Sequence, residues 1–147
     1  MIVLLPDGQQ GAPDPILDIL QAAKSVAVVG ISSKRMRPSY EVSQYLLKVG
    51  YRVIPVNPQE REVHGLRCYA SLEEVPERID VVDVFRRPEA VPPVVDSAIQ
   101  KGARVLWMQA GVIHEQAGEK ARAAGLTVVM DACMLTEHRK RMRQLTS

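Results

Sequence analysis

Five short apolar runs begin near residues 26, 51, 79, 104 and 126 of this 147-residue chain, roughly 22 to 28 residues apart. That spacing is the length of a strand, a crossover and the next strand. Strands joined by such crossovers lie parallel, so the chain is expected to be an α/β domain with a doubly wound parallel sheet. With the five predicted strands numbered in chain order, the simplest arrangement is 3-2-1-4-5, with the switch point between strands 1 and 4. Ligands of such sheets bind at the carboxyl ends of the strands. The length suits one domain with a real core. It divides into an N-terminal arm over 1–13, the domain over 14–138 and a basic tail over 139–147.

The first unit carries the most informative loop. Val26 to Val29 is an unbroken apolar run, as in a strand buried on both faces. Gly30 ends it, Ser32 and Ser33 open a polar loop, and Lys34, Arg35 and Arg37 bring three cations and no acid. Pro38 and Ser39 lead into a helical pattern from about Tyr40. Backbone N–H groups at such a turn and helix start are expected to be unpaired and to suit an anion, above all a phosphate. The hydroxyls and cations would add charge-assisted hydrogen bonds. An ordinary turn with a solvated basic loop is the alternative, and three cations in so short a connection favour the cradle.

The rest of the chain supplies the other walls. Asp14 can cap a short helix with Pro15 at its first position. Val42, Tyr45, Leu46 and Val49 recur at helical spacing up to Gly50, and Tyr51 to Val56 is the second strand. Asn57-Pro58 ends that strand. Residues 59–67 read as a turn region, and Ser71 to Glu74 as a capping box. Ile79 to Phe85 is the third strand; its Asp80 and Asp83 fall on opposite faces and make no carboxylate pair. A helix is predicted over 89–101, with Pro92 and Pro93 tolerable only near its start. Arg104 to Gln109 is the fourth strand, Glu115 to Ala124 a helix, Leu126 to Met130 the fifth strand, and 135–145 a basic helical segment. The loops Gly30–Ser39, Val56–Pro58, Phe85–Pro88 and Gln109–Gly111 then meet at one end of the sheet.

Composition removes several functions. The net charge of +2 and the six aromatic residues argue against a nucleic-acid surface. No apolar stretch approaches membrane-spanning length, and Pro6-Asp7-Gly8 breaks the apolar run at Met1 to Leu5 before it can read as a signal peptide. Two cysteines, Cys68 and Cys133, without a CxxC pair fit a reducing cytoplasm and read as packed thiols. His64, His114 and His138 lack metal spacing and read as surface or capping residues, so no metal site is expected.

The nucleotide is narrowed by what the loop lacks. Only the first glycine of GxGxxG is present, and Val56-Asn57-Pro58 offers no acid for a ribose diol, which disfavours NAD and leaves NADP open. There is no Walker loop. Four motifs in order carry a resemblance: Val-Gly-x-Ser on the first strand, Val-Ile-Pro-Val-Asn-Pro on the second, Val-Phe-Arg-Arg-Pro on the third and Trp-Met-Gln-Ala-Gly-Val on the fourth. Together they resemble the CoA-binding domain family, a Rossmann-like domain also found at the N-terminus of the succinyl-CoA synthetase α subunit. The small stand-alone bacterial members are the most similar, and the resemblance spans residues 16–138. The family often has Gly-Gly after the glutamine of strand four, where this chain has Ala110-Gly111.

The resemblance implies coenzyme A as ligand. Gly30, Ile31, Ser32, Ser33 and Lys34 would hold its pyrophosphate, with Ser39 at the end of the same loop. Lys34, Arg35 and Arg37 would meet the 3′-phosphate. Val56, Asn57 and Pro58 would line the adenosine side, Phe85, Arg86 and Pro88 the pantetheine or adenine, and Gln109 and Gly111 the pantetheine end. Arg87 is as readily a surface cation. The phosphorylated histidine of the synthetases lies on a second domain absent from this sequence, so ligase activity does not carry over, and no residue is assigned a catalytic role. The expected function is binding of CoA or an acyl-CoA without catalysis. An NADP-dependent reductase, a partner subunit of an acyl-CoA enzyme and an assembly module are the alternatives. A homodimer covering the sheet edges stays open.

Overall fold

The five apolar runs form five parallel strands of one sheet, as the α/β reading requires. The structure is a computed structural model that describes residues 1–146. In chain order the elements are β1 (Ile2–Leu4), α1 (Pro15–Ala22), β2 (Ser25–Val29), α2 (Pro38–Lys48) and β3 (Arg52–Val56). A two-residue-strand hairpin follows, β4 (Glu62–Val63) and β5 (Leu66–Arg67), then β6 (Val81–Val84), α3 (Val91–Gln100), β7 (Val105–Met108), α4 (Glu115–Ala123) and β8 (Thr127–Met130). The chain closes with α5 (Met134–Lys140) and α6 (Met142–Thr146). Pro92 and Pro93 sit in the first turn of α3, where their missing N–H groups cost nothing.

The main sheet has six strands in the order β1-β8-β7-β6-β2-β3. This corrects the expected sequence of strands: in chain-order numbering the five parallel strands run 2-1-3-4-5, not 3-2-1-4-5. The reason is Pro55. Its carbonyl faces outward and accepts from the Tyr69 N–H at 3.0 Å, while Asn57 N–H donates to the Tyr69 carbonyl at 2.8 Å. A proline has no N–H to offer on that side, so β3 serves as an edge, and Tyr69 closes it. The third parallel strand therefore returns across the sheet and pairs with β2, from Val26↔Val81 to Val29↔Val84. The switch point lies between β2 and β6.

The sixth strand comes from the span expected to be an irregular arm. Ile2, Val3 and Leu4 pair antiparallel with Met130, Val129 and Val128, which covers the outer edge of β8. Two cores result. Leu72, Val75, α3 and α4 pack on one face, and α1, α2 and α5 on the other. Trp107 is fully buried, and its indole N–H donates to the Ala132 carbonyl at 2.8 Å. No helix among the described residues is long and apolar enough to cross a membrane.

The basic tail is tied down. The Asp14 carboxylate accepts from Leu17 N–H as the cap of α1 and pairs with Arg141 at 2.9 Å, while Arg141 also reaches Glu137 at 3.0 Å. The Arg141 guanidinium holds the Asp14 carboxyl below the usual carboxylate range. Ser147, the last residue of the tail, lies outside the described residues. His138 departs from the surface role expected of it. It is 4% exposed, its Nδ1 is 2.7 Å from the Tyr45 hydroxyl, and burial lowers its pKa. Asp14→Ala removes a cap and leaves Arg141 with one partner; it is expected to cost about 1–2 kcal/mol, read as a lower midpoint in thermal unfolding.

Candidate functional site

The loop after β2 and the loop after β6 leave adjacent strands for opposite faces, and they part at Gly30. Its N–H donates to the Val56 carbonyl at 2.8 Å, and the Phe85 N–H donates to the Val29 carbonyl at 2.8 Å. Gly30 has φ of +86°, and a Cβ there would lie 2.2 Å from the Phe85 carbonyl oxygen and 2.9 Å from Arg86 Cδ. Only glycine lets the two loops approach this closely. A cleft of about 260 Å³ opens at this point, lined by Gly30, Val56, Pro58, Leu72, Arg86 and Val94 among others. A larger hollow of about 570 Å³ sits at the amino ends of β7 and β8, away from the basic loop. Parallel sheets bind at their carboxyl ends, so the smaller cleft is the candidate site.

Lys34, Arg35 and Arg37 are exposed. Among the described residues, no hydrogen bond or ion pair engages their side chains. The backbone differs from expectation. Three successive N–H groups are already taken: Ser32 donates to Ser39 Oγ at 3.0 Å, Ser33 to Glu60 Oε2 at 2.8 Å and Lys34 to Ser32 Oγ at 3.1 Å. Three of the donors foreseen as unpaired from the sequence are thus satisfied by neighbouring side chains, as backbone groups generally are. Ile31 is fully buried and offers a ligand only its backbone, and its carbonyl accepts from Asn57 Nδ2 at 2.7 Å. Asn57 Oδ1 in turn accepts from Gln59 N–H at 2.8 Å, so both ends of that amide are committed to the protein. Ser39 is 3% exposed and braces the loop from within.

The remaining predicted residues divide. Val56, Pro58 and Arg86 join Gly30 around the cleft. Phe85 is half-buried against the α2 face, and Pro88 starts a one-turn 3₁₀ helix, Pro88–Ala90, that leads into α3. Gln109 and Gly111 lie at the end of β7 and do not line the cleft. Gly111 N–H donates to Asp131 Oδ1 at 2.8 Å. Gln109 turns inward, 4% exposed, and its Nε2 donates to Asp83 Oδ1 at 2.7 Å.

Asp83 and Glu60 are the two residues whose roles the sequence reading missed. Asp83 is fully buried in β6, and its Oδ2 has no hydrogen-bond partner. Desolvation pushes its pKa up from 3.8 to about 7 against the opposing Gln109 bond. The signal was visible as an acid between Val82 and Val84. Glu60 gave none, because it lies in a polar turn without periodicity. His114 is the N-cap of α4, accepting from Ala117 N–H at 3.0 Å, which fits the capping role expected of it. No group of three or more metal-ligating side chains occurs among the described residues.

Residues 24–139 match the family described as a CoA binding domain. The chain is 41% identical over 123 residues to the protein YneT of Bacillus subtilis, covering 84% of this chain and 91% of that one. It is 30% identical over 129 residues to the α subunit of an ADP-forming acetate–CoA ligase of Pyrococcus furiosus. That match takes in 77% of this chain but only 28% of the ligase subunit. A solved structure of a hypothetical protein from Pyrococcus horikoshii superposes with a TM-score of 0.87 at 39% identity, covering 97% of this chain and 99% of the other.

Two outcomes follow from the geometry. Gly30→Ala is expected to lose more than about 1 kcal/mol of stability. Gly111→Ala, also at positive φ but with nothing within 4 Å of the added Cβ, should lose less; denaturant midpoints compare them. Asp83 favours its protonated form in the fold. Its contribution is therefore intact below pH 3.8, is lost as pH rises from 3.8 to about 7, and is level above that. About three pH units correspond to roughly 4 kcal/mol. The stability difference between Asp83→Asn and the parent should move in favour of the variant across that window, as measured by urea unfolding at a series of pH values.

Proposed function

The chain belongs to the CoA-binding domain family, and on that premise we propose that it binds coenzyme A or an acyl-CoA at the cleft between β2 and β6. One observation carries the reading. Three cations with no partner among the described residues, Lys34, Arg35 and Arg37, stand on the loop that borders the cleft at the carboxyl ends of the strands. Unpaired cations on one short loop repel each other, and an anionic ligand relieves that repulsion. The ligand's 3′-phosphate is nearly dianionic and suits charge-assisted bonds from Lys34, Arg35 and Arg37. The Gly30–Ser33 backbone would border the pyrophosphate. Val56, Pro58 and Arg86 would line the adenosine or pantetheine. Gln109, turned toward Asp83, is left out of direct contact.

The proposal assigns binding and no turnover. A thioester would travel on the coenzyme, with this chain as carrier or as a subunit that presents it to a separate enzyme. The ligase α subunit of Pyrococcus furiosus, matched over 28% of its length, supports that second form.

Calorimetric titration with CoA, NADP and NAD tests the reading. CoA should bind, and NAD should give no heat. Lys34→Ala/Arg35→Ala should weaken CoA roughly tenfold to a hundredfold, the loss of one or two charge-assisted bonds. Added salt should weaken the parent more than the double variant. Tighter binding of NADP than of CoA would overturn the assignment.

A further inference from the structure

The turn after β3 places an acid on the basic loop. Both carboxylate oxygens of Glu60 accept from Ser33: the N–H donates at 2.8 Å, and the hydroxyl lies 2.9 and 3.0 Å from the two oxygens. One N–H and one O–H converging on two anionic oxygens is the donor set a phosphate group would use. Glu60 takes these neutral donors although Lys34 and Arg35 are the next residues along the chain. The turn itself is held by other bonds. Asn57 Nδ2 donates to the Ile31 carbonyl at 2.7 Å, Asn57 Oδ1 accepts from Gln59 N–H at 2.8 Å, and Glu60 N–H donates to the Asn57 carbonyl at 3.2 Å. The Glu60 side chain can therefore swing away without unmaking the turn that carries it.

We propose that Glu60 is an internal stand-in for the ligand's pyrophosphate, resting on Ser33 in the free protein and displaced when the ligand binds. This rests on the reading of the loop as a phosphate cradle and adds its regulation. Two consequences are physical. The carboxylate satisfies Ser33 donors that would otherwise be unpaired on the loop, and it offsets part of the positive field of Lys34, Arg35 and Arg37. A weakly charged anion gains too little from those cations to displace it, whereas a diphosphate gains enough. Glu60 thus raises the charge a ligand needs, which is selectivity by competition.

The test compares the full chain with Glu60→Ala, titrated with CoA and separately with inorganic pyrophosphate, by heat and by the Ser33 amide resonance. Glu60→Ala should shift that resonance before any ligand is added and bind both ligands about three- to tenfold more tightly. Glu60→Gln keeps an acceptor without the charge and should fall between. Glu62→Ala removes an exposed acid two residues away and should change affinity by less than about twofold. Equal or weaker binding by Glu60→Ala overturns the proposal, because the carboxylate is then a brace or a direct ligand contact. Equal tightening by Glu62→Ala also overturns it, as an effect of net charge alone. If neither the parent nor Glu60→Ala takes CoA, the coenzyme reading fails by itself. Pyrophosphate then still decides: tighter uptake by Glu60→Ala upholds the stand-in, and silence from both proteins overturns it.

Discussion

The architecture depends on the closed outer edge of β3. Pro55 presents no N–H there, and Tyr69 occupies the edge through its own N–H and carbonyl. No further strand is added on that side. The chain must instead carry Leu72, Val75 and Ile79 onto the opposite face, where they join the core with α3 and α4. β6 is thereby set beside β2. The two strands send their following helices, α3 and α2, to opposite faces of the sheet. A crevice between diverging loops is the geometric result, and in parallel sheets it is where ligands lie. One missing hydrogen on one proline thus decides which two loops form the site.

Closeness then sets the demands on particular residues. With β2 and β6 adjacent, the Phe85 carbonyl reaches the space where a side chain at residue 30 would begin. Glycine is required there by proximity as well as by its positive φ. The same adjacency buries Asp83 between Val28 and Trp107 in the sheet register. A carboxyl in that place has lost its water and gained one amide, so it favours its neutral form. Gln109 pays for part of that burial, which is why it faces the interior and not the cleft.

Much of this was legible in the chain, for a simple reason. Strand and helix patterns depend on local periodicity, and the Gly30 loop announced itself by its serines and cations. The strand order was not read, although Pro55 held the information: a proline in a strand belongs at an edge, whereas the order 3-2-1-4-5 put that strand inside the sheet. The pairing of Ile2–Leu4 with β8 was missed because three apolar residues carry too little periodicity to mark a strand. The inward turn of Gln109 and the burial of His138 depend on partners 26 and 93 residues away. Nothing local to either residue could show them. Glu60 belongs to the same class, since its contact with Ser33 spans 27 residues through a turn of no regular pattern.

The partly satisfied backbone of the loop changes the physics of its attraction for anions. Free N–H groups would act at short range and with little dependence on salt. In this chain Ser32, Ser33 and Lys34 donate their N–H groups to Ser39, Glu60 and Ser32. At long range the pull on an approaching anion comes from the exposed ammonium and guanidinium groups, whose field reaches about 8 Å at physiological ionic strength. The Ser32, Ser33 and Lys34 donors enter only by exchange, when an arriving oxygen replaces one the protein already supplies. Such exchange contributes a small net energy, because a bond is broken for each bond made. Affinity at this site is then governed by how many charges the ligand brings against how many the loop presents, and the loop's own acid is part of that balance.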